Sequence, residues 1–393
     1  MLFWVVSALF ALLAFFLFLE VLLASFAATR LSSHTVFTPK VALDARAVIV
    51  VPAHNEEKVI GDTLASILPQ LRDRDELVVV ADNCSDNTKA LAEKFGATVI
   101  VRNDAHKRGK GYALDFAVNH IKERGFDAIL MIDADCIVEP GCRDQLVEEA
   151  LVAGRPVQCL YLMRSDKDSP TLSQKVSEFA WLIKNKLRPL GLLKLKGPCH
   201  LMGTGMAFPA KMLYEANLAN GCIVEDMKLG LDLAIAGTSP KFLPDAVVWS
   251  RFPDSEEVSE GQKSRWIHGH LEMISLYVPQ LLKNFILKRD FNLLLLCFEL
   301  LVPPLVFMLL INVALLFVTL LVSLFAGVSL YILPMLSVCL MGLTIVMAWL
   351  LGGRNIISID ELLKGLISRL KSSSVYLKFF TGRRKDWNKT SRK

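Results

Sequence analysis

The sequence predicts an α/β domain on a mixed, mostly parallel β-sheet, flanked by transmembrane α-helices. Three observations predict it. Hydrophobic residues make up 53% of the 393 and mean hydropathy is +0.42, yet the excess is concentrated in residues 1–28 and 291–353. Between those blocks, from Arg46 onward, short β-branched runs alternate with stretches of helical periodicity. The polar clusters of that middle region fall repeatedly just after the strands, where ligands gather in open α/β sheets.

Residues 1–28 read as one membrane span. About 20 apolar residues cross the hydrocarbon, and Glu20 is the only charge in the stretch. A secretory signal peptide would need a basic start and a shorter apolar run, whereas no Lys or Arg precedes Arg30. The linker Leu31–Arg46 is polar enough to be irregular.

The domain is expected over 46–252, long enough to bury a core of its own. Its strands are Ala47–Val51, Leu77–Ala81, Ala97–Val101 and Ala128–Ile132, and its helices Val59–Leu71, Thr88–Phe95 and Tyr112–Arg124. Phe252–Gly261 is acidic and loop-like. Residues 258–290 read as an interfacial amphipathic segment, with Trp266, Met273, Ile274, Leu281 and Leu282 among the apolar positions of Gly261–Lys288. The block 291–353 carries only Glu299 between Asp290 and Arg354 and fits two spans, roughly 293–325 and 330–352, turning near Gly327. Pro303-Pro304 is a point where the first would break into an interfacial piece and a true span.

The tail 354–393 holds 11 Lys/Arg against 3 Asp/Glu, so it carries +8 while the rest of the chain sums to −3 (5 minus 8). Positive segments stay cytoplasmic. Three spans therefore keep the middle domain and the basic tail on the cytoplasmic side of an inner or plasma membrane, whereas four would export the tail. Arg383-Arg384-Lys385 would meet anionic lipid, and no nucleic-acid partner is expected. The eight cysteines form no Cys-x-x-Cys pair, so neither zinc nor a disulfide framework is indicated.

Asp133-Ala134-Asp135 ends a buried strand. Two residues apart, the two carboxylates would share one face of a regular strand, and past its end the backbone can turn and bring both to one hard cation. A solvated loop is the plainer alternative. Glu225-Asp226 opens a helix, where acids are favoured by the macrodipole or where one serves as a general base. Gln262-x-x-Arg265-Trp266 offers a guanidinium for diphosphate oxygens and an indole for sugar stacking, or simply an interfacial Trp-Arg pair. Arg108-Gly109-Lys110-Gly111 is a basic, glycine-rich turn entering a helix, suited to phosphate, without the spacing of a P-loop or a dinucleotide fingerprint. His200-Leu-Met-Gly203-Thr-Gly205 offers bare backbone to a ligand or to a packed helix. His268 and His270 do not share a helix face and read as solvated or interfacial rather than metal-binding.

Taken in order, these motifs resemble the family 2 glycosyltransferases, inverting enzymes of GT-A fold, over roughly 46–290. Val51-Pro-Ala-His-Asn-Glu-Glu57 resembles the family's opening Pro-x-x-Asn-Glu, which implies nucleoside contacts at Ala53, His54 and Glu56. Asp82 resembles the aspartate that recognises the base, usually uracil, and Lys110 the lysine that approaches the donor phosphates. Asp133 and Asp135 resemble the metal and diphosphate motif, implying Mg²⁺ or Mn²⁺ held through Asp135 with Asp133 nearby. Glu225-Asp226 resembles the pair whose second member is the catalytic base. Gln262, Arg265 and Trp266 resemble the Gln-x-x-Arg-Trp motif of membrane-embedded polysaccharide synthases and ceramide glucosyltransferases, implying diphosphate and acceptor contacts together with Glu225.

Two departures qualify the resemblance. The usual Asp-Asp-Gly-Ser is Asp82-Asn83-Cys84-Ser85 here, which weakens the inference of base preference. The spans are also fewer than in synthases that secrete their own polymer. The resemblance therefore implies transfer from a nucleotide-sugar donor, UDP-linked by analogy, to a lipid-linked glycan acceptor in exopolysaccharide or cell-envelope synthesis, in a possible complex with other glycan-assembly proteins. A processive polysaccharide synthase, a glycolipid synthase of the ceramide-glucosyltransferase type and a catalytically dead partner are the alternatives.

Overall fold

A computed structural model describes residues 2–28, 40–42, 44–165, 169–253, 256–327 and 329–371. Most of the expected irregular linker and the Arg383-Arg384-Lys385 run lie outside the described residues.

In chain order the first elements are α1 (Leu2–Ala28), β1 (Ala47–Ala53), α2 (Ile60–Ile67), β2 (Glu76–Asp82), α3 (Thr88–Lys94), β3 (Thr98–Arg102), α4 (Lys110–Ile121), β4 (Ala128–Met131) and β5 (Cys136–Val138). Then come α5 (Cys142–Ala153), β6 (Val157–Arg164), α6 (Leu172–Leu182), α7 (Arg188–Lys194), β7 (Met206–Pro209), α8 (Ala210–Tyr214), α9 (Glu225–Ala236) and β8 (Lys241–Arg251). The last are α10 (Glu256–Lys288), α11 (Phe291–Leu301), α12 (Leu305–Ala326), α13 (Ile332–Leu351) and α14 (Ile359–Lys371). They fall into two compact units: a helical one of Met1–Ser32, Ser165–Gly197 and His270–Lys385, and a sheet-bearing one of Ser33–Arg164, Pro198–Gly269 and Asp386–Lys393.

The sheet has eight strands in the order β3-β2-β1-β4-β7-β6-β8-β5. β3, β2, β1 and β4 run parallel, as do β6 and β8. The pairs β4–β7, β6–β7 and β5–β8 are antiparallel. The sheet is thus mixed, its first half wholly parallel. β1, β2 and β4 read as near-continuous apolar runs because helices cover them, and their residues are almost wholly buried. Ala113, Leu114, Ala117 and Ile121 of α4 pack over Val48, Val50, Val78 and Ile129 in one core. Register places Asp82 opposite Arg102 and Val50 opposite Met131, aligning the carboxyl ends of these strands. The helix expected over Val59–Leu71 ends early: α2 stops at Ile67 and a 3₁₀ turn, Leu68–Gln70, carries Pro69, which lacks the N–H that an α-turn needs.

Phe252–Gly261 is not a loop throughout, since α10 begins at Glu256. Glu256-Glu257, which read as loop, stand where a helix start favours acids.

Three helices of the helical unit, Phe3–Ala27, Leu305–Phe325 and Ile332–Leu351, are long and apolar enough to cross a membrane. The expected span 293–325 is two helices, α11 and α12, broken at Pro303-Pro304, with Pro304 capping α12. Glu20, the lone charge of α1, accepts from Arg188 Nε at 2.6 Å, and Arg188 Nη2 donates to Glu299 O at 3.1 Å. α7 closes on α1 there because Gly191 has no side chain: a Cβ would fall 2.0 Å from Glu20 O. Ser337 of α13 donates to Asn312 of α12 and to Phe10 O of α1, a polar patch tying the three apolar helices. All eight cysteines are free thiols.

Candidate active site

Asp133, Ala134 and Asp135 follow β4 after the single residue Ile132, in a turn closed by Cys136 N–H donating to Asp133 O at 3.2 Å. Two bonds anchor the turn. The Asp133 N–H donates to Thr204 Oγ1 at 3.0 Å, and Thr63 Oγ1 donates to Ala134 O at 2.8 Å. Ala134 is buried while both aspartates are half-buried.

Lys110 is the first residue of α4, after Gly109 at a φ of 130°, backbone that glycine adopts at little cost. Its ammonium ion-pairs with Asp133, donates to Gly203 O at 2.8 Å and lies 3.9 Å from Glu225. Gly203 has a φ of 89°. A Cβ there would stand 3.3 Å from Asp226 Oδ2, 3.5 Å from Lys110 Nζ and 3.9 Å from Asp133 Oδ2. Lys110, Asp133 and Asp226 therefore converge on one stretch of bare backbone. Glu225 and Asp226 occupy the first turn of α9. α4 approaches them through Gly111, where a Cβ would lie 2.6 Å from Leu218 O and 3.6 Å from Glu225 Cβ.

Burial dominates the electrostatics. It pushes Glu225 up to about 8, against the attraction of Lys110. Burial also raises Asp133, with Lys110 opposing and Asp135 adding repulsion. Lys110 would be lowered by its burial, but Asp133 and Glu225 outweigh that and hold it above its ordinary value. Three carboxyl groups, Asp133, Glu225 and Asp226, bear on the Lys110 ammonium, and Asp135 repels Asp133, so the site is short of positive charge.

The residues expected at the nucleoside lie at the ends of β1 and β2. Ala53 closes β1 and is buried. His54 Nδ1 donates to Asp82 O at 2.7 Å, and the Glu56 N–H donates to Thr88 Oγ1 at 2.8 Å. Asp82 Oδ1 accepts from Arg102 Nη1 at 2.7 Å and from Asn83 Nδ2 at 2.9 Å. Arg102 also donates to Lys107 O at 2.6 Å. Asn55 and Asn83 both sit in left-handed backbone, at φ of 56° and 51°, which asparagine tolerates better than most residues.

α10 brings the last motif alongside. Gly269 packs on Val224, the residue before Glu225, so closely that a Cβ would fall 2.6 Å from Val224 Cγ1. Arg265, four residues earlier, shares that helix face. Burial lowers its guanidinium, partly offset by Glu225. Gln262 and Trp266 are half-buried on the same helix. His268 Nδ1 bonds Ser264 O at 2.7 Å, a bond within its own helix.

Among the described residues no three His, Cys, Asp or Glu side chains form a ready metal cage. Mg²⁺ and Mn²⁺ are commonly held by one or two carboxylates plus substrate phosphates. Asp133 and Asp135 are hard oxygen donors of that kind.

Sequence reasoning missed four supporting residues: Thr63, Gln158, Thr204 and Arg102. Gln158 donates to Thr204 O at 2.9 Å and accepts from the Met202 N–H at 2.8 Å, fixing the Gly203 segment. A polar Gln inside an apolar strand and a Thr between two glycines were the available signals.

A family profile described as "Glycosyltransferase like family 2" matches residues 45–269. The chain is 27% identical over 255 residues to the probable glycosyltransferase YdaM of Bacillus subtilis, covering 61% of this chain and 58% of that one. It is 26% identical over 237 residues to the poly-beta-1,6-N-acetyl-D-glucosamine synthase of Staphylococcus aureus, covering 56% and 53%. The chain thus spans just over half the length of these curated relatives. Its fold is similar to the mannosyltransferase PcManGT from Pyrobaculum calidifontis, solved with GDP-Man and Mn²⁺. The TM-score is 0.53 at 18% identity, over 87% of this chain and 98% of that one.

Proposed function

Because the chain belongs to the glycosyltransferase-like family 2, we propose that it transfers a sugar, with inversion, from a nucleoside-diphosphate sugar to a membrane lipid-linked acceptor. The observation that carries this reading is the convergence of Lys110, Asp133 and Asp226 on the bare backbone of Gly203 at the carboxyl end of β4. A donor lies with its nucleoside along Ala53, His54, Glu56 and Asp82 and its diphosphate toward Lys110 and Asp133. Asp135, with Asp133, would hold the Mg²⁺ or Mn²⁺, which supplies positive charge to the departing diphosphate.

Asp226 takes the proton from the acceptor hydroxyl. The hydroxyl oxygen attacks the anomeric carbon from the face opposite the diphosphate, the bond from that carbon to the diphosphate oxygen breaks, and the configuration inverts. Lys110 and Arg265 offset the charge that develops on the leaving group. Glu225, carrying its proton near neutral pH, adds no negative charge beside that group. Trp266 lines the acceptor entrance on α10.

The apolar helices α1, α12 and α13 support a membrane location, with the catalytic domain and the basic tail on the cytoplasmic side by the charge rule. A processive polysaccharide synthase is the second reading, favoured by the Staphylococcus aureus relative. Product analysis from a panel of sugar nucleotides, with and without lipid extract, tests both. A single sugar added to lipid supports the proposal. Long polymer from donor alone supports the second reading, and no transfer under any condition overturns both.

A further inference from the structure

Helix α14 has a face that sugar transfer leaves unused. Ile359, Leu363 and Ile367 recur at helical spacing and are 49%, 57% and 55% exposed. The adjoining face packs on α6: Leu362 is buried, Lys175 donates to Glu361 at 2.7 Å, and a Cβ on Gly365 would fall 2.3 Å from Val176. A third face carries Asp360 and Lys364, paired at 2.6 Å. The helix therefore has one side for protein, one charged side and one apolar side.

The start of α14 is fixed relative to the end of α13. Trp349, in the last turn of α13, donates its indole N–H to Ile357 O at 2.8 Å across the connection. Ser358 and Glu361 then exchange bonds: the Ser358 N–H to Glu361 Oε2 at 3.0 Å and the Glu361 N–H to Ser358 Oγ at 3.3 Å, a capping box. An indole at the end of an apolar span suits the boundary between bilayer and water.

We infer that α14 lies in the plane of the bilayer surface, with Ile359, Leu363 and Ile367 sunk into lipid about 5–10 Å deep at the headgroup boundary. The inference rests on reading α12 and α13 as membrane spans. Lipid is the occupant because α14 begins where α13 ends and its sequence is basic toward the C-terminus. Arg369 and Lys371 close the helix, and residues 372–393 continue the positive charge with Asp386 as the only acid, which favours anionic headgroups.

The test places an environment-sensitive fluorescent amino acid at Val318, which is 39% exposed on α12, or at Leu363 or Lys364, in the full chain. Each protein is reconstituted in phosphatidylcholine–phosphatidylglycerol liposomes containing brominated acyl chains. The expected result is several-fold quenching by bromolipid at 318 and 363, with 364 quenched instead by aqueous iodide. Iodide access at 363, with 318 still lipid-quenched, overturns the inference while leaving the spans standing. Shielding of 363 from both quenchers also overturns it, since protein rather than lipid would then cover the stripe. Absence of lipid quenching at 318 removes the membrane reading and this inference with it.

Discussion

Gly203→Ala probes the proposed site at its centre. Alanine at a φ of 89° is strained by about 1–2 kcal/mol, the usual cost of left-handed backbone for an L-residue. For a domain of this size that lowers the melting temperature by roughly 2–8 °C, well short of unfolding. The added methyl meets Asp226 Oδ2 at 3.3 Å and Lys110 Nζ at 3.5 Å, so the carboxylate must retreat by a few tenths of an ångström. The methyl also occupies the space the two groups share. A full ~1 Å misplacement in a positioned site costs about 10²-fold in rate, which sets the ceiling for this smaller shift. The assay is release of nucleoside diphosphate from a sugar-nucleotide panel in purified membranes, alongside thermal unfolding in detergent. The expected outcome is a folded protein with turnover reduced by roughly 10-fold, and by no more than about 10²-fold. A folded variant that turns over like wild type would show that Gly203 does not adjoin the reaction.

Other predictions follow from the same structure. The folded-state value for Glu225, about 8, lies above its ordinary 4.5, so between those values the folded state holds a proton that the unfolded state has lost. Stability should therefore fall as pH rises from 4.5 toward 8, and Glu225→Gln should flatten that slope in denaturation series without metal or donor; an unchanged slope refutes it. EDTA treatment should abolish transfer, with Mg²⁺ or Mn²⁺ restoring it in wild type but not in Asp135→Asn; full activity after chelation would refute the metal role of Asp135. In the helical unit, Arg188→Leu strands Glu20 among apolar helices and should cost about 3–5 kcal/mol, whereas pairing it with Glu20→Leu should recover most of that. Unfolding in detergent reads both, and an equally unstable double variant would deny the pair its assigned role.

The parallel half of the sheet was legible because its strands are short, apolar and β-branched, and because each ends in a polar cluster. Asp133-Ala134-Asp135 could be placed at a strand end from Ala128–Ile132 alone. The other half of the sheet was not legible. β6 and β8 pair across more than 80 residues with a register shift between Cys159 and Leu160, and no local pattern encodes such a pairing. The candidate site divides in the same way. Each acidic motif stood out by its neighbours, but Thr204 meets Asp133 across 71 positions of sequence, and Arg102 reaches Asp82 only through the β2–β3 register. Lys110 was expected at the donor phosphates; its pairing with Asp133 and its approach to Glu225 emerged only from the fold. The break at Pro303-Pro304 was visible as a possibility, and the helical geometry on either side decided it.

The central claim is that Asp226 is the base of a sugar transfer whose donor half begins at Asp133-Ala134-Asp135. It is tested most directly with Asp226→Asn in purified membranes supplied with radiolabelled sugar nucleotide and lipid extract. The account predicts that donor binding persists while transfer to the acceptor is lost. Transfer at near wild-type rate would contradict it.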